Sequence, residues 1–330
     1  MTIARPPRHA WAILALALVG VSSGGPLLAS IPEVPPMLRA SWRLWATTIV
    51  LAPGFYAQRA WFTNADIRHG TLMILIGSGI ALAIHFAAWT WSLDHTSLAH
   101  SLLFVTSHPL VIVCAMALIR GRLDWMLMGG AALGFLGAAL ALLDSSPSGE
   151  VTYAGDAAAF LGAVAGAAYL GAGRVLRSTG RMPLFIYAFP VTLIAATILS
   201  GISIAIEAHP PSIRPHPLGW SNPSYILPVS AMALGAGLLG HTGLNASLRW
   251  MPPIIVSVAL LFEPILGTLI GYFLLGELEV GHWTLLGGVL MIAGASILTS
   301  WLERESIQHD TDSSGGRPWP HHERPRTPSP

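Results

Sequence analysis

The chain has 330 residues, of which 53% are apolar and only 10% charged, with a mean hydropathy of +0.61. Soluble globular chains are roughly a quarter charged, so composition excludes most soluble enzymes. A formal charge of +1 leaves no basic domain for nucleic acid. All 17 positive side chains are Arg, which excludes a lysine Schiff base and a Walker-type phosphate-binding lysine. The single cysteine, Cys114, excludes an internal disulfide and a Cys-based metal site, and its apolar neighbours predict a packing residue.

A transmembrane helix needs about 20 mostly apolar residues. Ten such runs are read in chain order: 11–30, 36–55, 70–93, 97–119, 125–143, 157–176, 182–205, 226–248, 253–275 and 283–301. They are about twice as long as membrane strands and lack strict alternation, so helices are predicted and the fold class is an all-α integral membrane protein. Run 11–30 follows Arg5 and Arg8 but is long for a signal-peptide core and precedes nine further spans.

Arginine placement predicts orientation. With an inside N-terminus, the inner segments and adjoining span ends hold Arg5, Arg8, Arg59, Arg68, Arg120, Arg122, Arg174, Arg177, Arg181, Arg249, Arg304, Arg317, Arg324 and Arg326. The outer loops hold Arg214 alone, while Arg39 and Arg43 lie within the second run. This asymmetry is the positive-inside pattern and predicts an N-in, C-in chain, with interfacial Trp11, Trp125, Trp283 and Trp301 near span ends. Residues 1–10 are then a cytoplasmic N-terminus, 144–156 an extracytoplasmic linker, and 303–330, rich in Pro, Ser, His and charge, a disordered cytoplasmic tail. His321 and His322 in that tail have no further ligand at fixed spacing, so no metal site is predicted.

Self-comparison predicts a duplication. Thr106-Ser107-His108-Pro109 followed by Gly121 matches Leu261-Phe262-Glu263-Pro264 followed by Gly276 at an offset of 155, and Gly130 and Gly137 match Gly287 and Gly294 after a two-residue slip. Upstream, the segment from His85 to Leu93 resembles that from His241 to Leu248. Five spans per half is odd, so residues 11–143 and 157–302 would enter the membrane with opposite orientation, as two inverted five-helix repeats.

The segment Gly240-His241-Thr242-Gly243-Leu244-Asn245, then Phe262-Glu263-Pro264 and Leu275-Gly276-Glu277, resembles the closing half of EamA-type proteins of the drug/metabolite transporter superfamily. Pro36 followed by Arg39 and Arg43 resembles that family's entry into its second helix. The resemblance spans about residues 11–302. It implies ten helices in two inverted repeats, a central cavity lined chiefly by helices 1, 3, 4, 6, 8 and 9, and export of amino acids or other small metabolites. Arg122 departs from the family, whose members often carry Glu after the preceding glycine.

Several polar side chains fall inside apolar runs, where an ionised group facing lipid is costly. Glu263 and His108 occupy matching repeat positions, and each precedes a proline, Pro264 or Pro109, that bends its helix. Glu263 is expected either to bind a cationic group or coupling proton, with His108 as partner, or to make a structural hydrogen bond. Arg43 either binds a substrate carboxylate or phosphate or reaches the outer interface or Glu33; Arg39 is expected as an interfacial charge. His85, His100 and His241 are expected either to line a polar cavity or to bridge helices by hydrogen bonds, and His241 and Asn245, four residues apart on one helix face, are the further cavity candidates. Trp89 and Trp91 face different sides of one helix, and Trp89 is the candidate cavity wall. No cofactor is expected.

The expected function is secondary transport of a small-molecule substrate across a bacterial-type plasma membrane, coupled to a proton or another ion. The alternatives are a non-transporting sensor or assembly protein, and an intramembrane enzyme. For the last, Ser296 has no later membrane histidine, and Ser78 with His241 is a looser pairing.

Overall fold

The computed structural model describes residues 6–61, 69–96, 98–141, 143, 151–263, 265–267, 269–270 and 282–314. They are almost wholly helical, and no strand occurs among the described residues. In chain order the helices are α1 (Arg8–Ser22), α2 (Gly24–Ala29), α3 (Pro36–Gln58), α4 (His69–Leu93), α5 (Leu98–Val105), α6 (His108–Arg120) and α7 (Trp125–Ala141). The second half has α8 (Tyr153–Arg174), α9 (Leu184–Ile206), α10 (Pro223–Met232), α11 (Gly243–Ser247), α12 (Pro253–Leu260) and α13 (His282–Ser314). A wider π-helical winding continues α8 over Val175–Thr179 and joins α10 to α11 over Ala233–Thr242.

Among the described residues, six helical stretches are long and apolar enough to cross a membrane: Arg8–Ala29, His69–Leu93, His100–Arg120, Tyr153–Thr179, Leu184–Ile206 and Pro223–Ser247. Trp125–Ala141 and Leu285–Trp301 are shorter apolar helices. Large aliphatic side chains on their outer faces, among them Leu16, Ile84, Leu136, Leu161 and Val289, are exposed. Exposed apolar surface on this scale is stable against hydrocarbon, not water, so the chain is a multi-pass helical membrane protein.

Local chemistry explains the helix ends. Glu207 accepts hydrogen bonds from the Met37 and Leu38 amides at 2.7 and 3.1 Å, capping the N-terminus of α3 with a carboxylate where the helix dipole is positive. Thr152 caps α8 through the Gly155 amide at 3.0 Å. Gly121, at φ 66°, closes α6 in the left-handed conformation that glycine adopts without strain. Arg174 donates to the carbonyls of Leu248 and Met251 at 2.9 and 3.3 Å, satisfying acceptors that the end of α11 leaves open.

The run 97–119 is two helices, not one. α5 ends at Val105 and α6 starts at His108, since Pro109 lacks an amide proton and its ring crowds the preceding turn. Thr106 and Ser107 hydroxyls turn back onto the Leu102 and Phe104 carbonyls, each at 2.7 Å. α12 stops at the matching place, with a turn at Leu261 and Phe262 before helical Glu263. The helix-kinking residue Pro264 itself lies outside the described residues, as do Leu275, Gly276 and Glu277, the 144–150 part of the linker and residues 315–330 of the tail. α8 already begins at Tyr153, inside the segment read as linker, and α13 continues through residues 303–314.

Packing is organised in matched pairs. α4 packs on α8 and α1 on the π-helical stretch; α4 on α9 and α3 on that stretch; α5 and α6 on α8 and α12 on α1. α3 meets α9, α6 meets α12, and α7 meets α13. The last crossing is very close: a Cβ at Gly137 would lie 2.6 Å from the Gly287 carbonyl, and one at Gly294 would lie 2.6 Å from the Gly130 carbonyl. Glycine permits such backbone approach between apolar helices. Cys114, expected to pack, instead faces outward from α6.

Candidate functional site in the central cavity

The helix breaks and the π-helical stretch converge on one cavity. α4 supplies His85 and Trp89, the α5–α6 break supplies Val105 and His108, and α8 supplies Gly166 and Tyr169. Arg43 enters from α3, His241 from the π-helical stretch, and Glu263 from just after α12. Val21 at the end of α1, Leu170, Leu244 and Leu260 complete the wall. The water-accessible space is about 30 Å³, room for a few waters at most.

Five of the six cavity candidates read from the sequence therefore meet here: Glu263, His108, Arg43, His241 and Trp89. Asn245 sits one layer back. Its side-chain amide donates to the Tyr169 hydroxyl and, at 2.8 Å, to the His241 carbonyl, so it holds the wall instead of forming it. Pro109 lies buried at the start of α6 behind His108.

Arg43 is 1% exposed and lies with its guanidinium 4.6 Å from the centre of the Phe86 ring, a cation–π contact in place of the outer interface or Glu33. Its Nε and Nη1 have no hydrogen-bond partner among the described residues. Glu263 is the opposite charge that acts on it. Among the described residues, however, the direct ion pairs are Arg39–Asp94 and His100–Asp156, so Arg43 and Glu263 share the cavity without touching.

Arg39, expected as an interfacial charge, is itself 4% exposed and binds Asp94, just past the end of α4, through both carboxylate oxygens at 2.6 and 2.7 Å. The partner lies 55 residues away in sequence, so no local spacing revealed it. His100 bridges to Asp156 at 3.1 Å, alongside Thr96 at 2.7 Å, joining the start of α5 to α8.

Rings make up most of the polar wall. His85 lies 5.9 Å from His108, 6.1 Å from His241 and 6.3 Å from Trp89, centre to centre. Tyr169 lies 6.0 Å from His241. Nδ1 of His85 donates to the Gly162 carbonyl at 2.8 Å, whereas Nδ1 of His108, Nδ1 of His241 and Nε1 of Trp89 are buried without a partner among the described residues. Among the described residues no group of three His, Cys, Asp or Glu is arranged to hold a metal ion.

Tyr169 was not singled out from the sequence, and His85 combines both roles open to it, lining the cavity and bridging α4 to the Gly162 carbonyl of α8. Tyr169 follows Gly166 by three residues on the glycine face of α8, where a Cβ at Gly166 would lie 2.5 Å from His108 Nε2 and 3.0 Å from His85 Nδ1. The Gly162 and Gly166 spacing was therefore the available signal, as room cleared for imidazoles. Trp91, unlike Trp89, turns away and stacks on His95 at 3.6 Å. Ser78 shares its hydrogen bond with the Tyr187 hydroxyl at 2.6 Å, and Ser296 donates to the Ile292 carbonyl at 2.8 Å.

No protein-family model matches the chain, and no curated protein matches it. Among solved structures 28 chains match. One, described only as "Crystal structure of protein", aligns over 90% of this chain and 99% of its own at 20% identity with a TM-score of 0.69. At that identity the likeness establishes a shared fold.

Proposed function

We propose that the protein is a secondary transporter of a small metabolite, such as an amino acid or related compound, and works as an exporter by alternating access. Ten helices in two inverted five-helix repeats, with both termini in the cytoplasm of a bacterial-type plasma membrane, would rock about the central cavity. This is the architecture implied by the EamA-type resemblance. Energy would come from a proton or another ion, or from the gradient of the substrate.

The observation that carries this reading is the unspent charge in the cavity. A buried guanidinium with open donors and a carboxylate that does not pair with it are expensive to maintain in a membrane interior. A substrate bearing a carboxylate for Arg43 and a cationic group for Glu263 would satisfy both at once. Trp89, Tyr169 and the imidazoles would contact its body.

Exchange of matched packing pairs supports the inverted repeat. Gly130 meets Gly294 and Gly137 meets Gly287, and these glycines are equivalent in the order 130 to 287 and 137 to 294. Such crossed contact between equivalent positions is what a two-fold relation between halves produces.

Metabolite profiling of deletion and overexpressing cells, followed by flux of the hits in proteoliposomes, tests the reading. Transport is expected to fall about tenfold or more in Glu263→Gln and in Arg43→Gln, the loss typical of a charge-assisted contact. Unchanged flux in both folded variants would remove the cavity from the transport path.

A further inference from the structure

The two histidines that face each other in the cavity are equivalent in the repeat but not in their bonding. His85 on α4 and His241 on the π-helical stretch hold matching positions, with ring centres 6.1 Å apart. α4 packs on α8, and there His85 Nδ1 donates to the Gly162 carbonyl at 2.8 Å. The π-helical stretch packs on α1 in the matching way, so closely that a Cβ at Gly20 would lie 2.7 Å from the Gly240 amide nitrogen. Nevertheless His241 Nδ1 is buried and has no partner among the described residues. His108 also has an open Nδ1, but its repeat equivalent is Glu263, so among the described residues of the cavity wall His85 and His241 are the matched pair of hydrogen-bonding side chains.

We propose that His85 and His241 form a two-position latch. In the conformation described, His85 is bonded to α8 and His241 is released. In the oppositely facing conformation His241 donates to a backbone carbonyl of α1 and His85 leaves Gly162. The latch rests on the alternating-access reading above. In an inverted repeat the second facing state arises when the two halves exchange conformations. A hydrogen bond present in one half must then reappear in the other. The exchange makes one bond for each bond broken, so neither state is strongly favoured and a substrate can bias the equilibrium.

The test uses the full chain in nanodiscs, without substrate, with Cys114→Ala to clear the native thiol. Spin labels at Tyr153→Cys with Ser224→Cys report one end of the bundle, and labels at Tyr56→Cys with Thr179→Cys report the other. Distance distributions are then read by double electron–electron resonance.

His85→Gln is expected to shift the ratio of two distance populations about threefold to tenfold away from the described conformation. His241→Gln is expected to shift it by a similar factor toward that conformation. His85→Asn and His241→Asn, which place an amide nitrogen near the lost Nδ1, should stay close to the parent ratio and guard against general loosening. Shifts in the same direction, or two populations with an unmoved ratio, would overturn the latch and leave alternation standing. A single population at both ends in every variant would overturn alternation, and the latch with it.

Discussion

At the scale of single residues, the cavity is shaped as much by what is missing as by what is present. Gly166 leaves the space that the His85 and His108 rings occupy, since a methyl carbon added there would fall 2.5 Å from His108 Nε2. Gly166→Ala should therefore push both imidazoles into the remaining 30 Å³ of free space. Overpacking of this kind costs about 1–3 kcal/mol. A thermal midpoint in detergent lowered by a few degrees, with vesicle flux reduced about tenfold, is the expected result; full flux would show that the rings can yield. The charged members of this site were legible in the sequence because a charge inside an apolar run is costly wherever it faces lipid. Tyr169 was not, since a tyrosine in an apolar helix carries no such penalty and its role depends on Asn245, 76 residues away. The charge of Arg39 was visible in the sequence, but the Asp94 that pairs with it was not.

At the scale of elements, the helices were legible as long apolar runs, and their interruptions only in part. Pro109 predicted a bend, and the structure shows a full break between α5 and α6, where the Thr106 and Ser107 hydroxyls add a second hydrogen bond to carbonyls of the last turn of α5. The π-helical winding of Ala233–Thr242 left no sequence signal beyond its glycines, because i to i+5 bonding arises from packing against α1 and α3. One element depends on a distant side chain. α3 carries two buried arginines and starts at Pro36, with no hydrogen bond from its N-cap side chain, and Glu207 from the end of α9 supplies the acceptor. Ser203 donates to the same carboxylate at 2.7 Å and holds it in place. Glu207→Ala should remove both amide contacts and cost about 1–2 kcal/mol. Glu207→Gln keeps an acceptor but loses the charge, and should lose about half as much. Denaturation midpoints of the three proteins in one detergent should fall in the order parent, Gln, Ala; equal midpoints would mean that water caps α3 equally well.

At the scale of the whole molecule, the arginine distribution and the packing pairs make separate demands on topology. Among the described residues, six helices satisfy the length and hydropathy needed for crossing, while Trp125–Ala141 and Leu285–Trp301 are shorter and α3 is burdened by Arg39 and Arg43. α7 and α13 nevertheless run against each other along a glycine seam, which buries their small-residue faces and lets a short helix be covered by its neighbour. Both arginines of α3 are likewise turned inward, one onto Asp94 and one onto Phe86, so the helix can present an apolar face to lipid. With all ten runs crossing, Arg122, Gly180 and Trp250 lie on the same side as the N-terminus, and Glu33, His95 and Arg214 lie opposite. If only the six long stretches crossed, the sides would not alternate in this order. Single cysteines at these six positions in a Cys114→Ala chain, probed with a membrane-impermeant maleimide on intact cells and on inverted vesicles, should divide into those two groups. Labelling of Arg122→Cys from outside intact cells would contradict the ten-span count and the orientation inferred from arginine together, because that loop is reached only after four complete crossings.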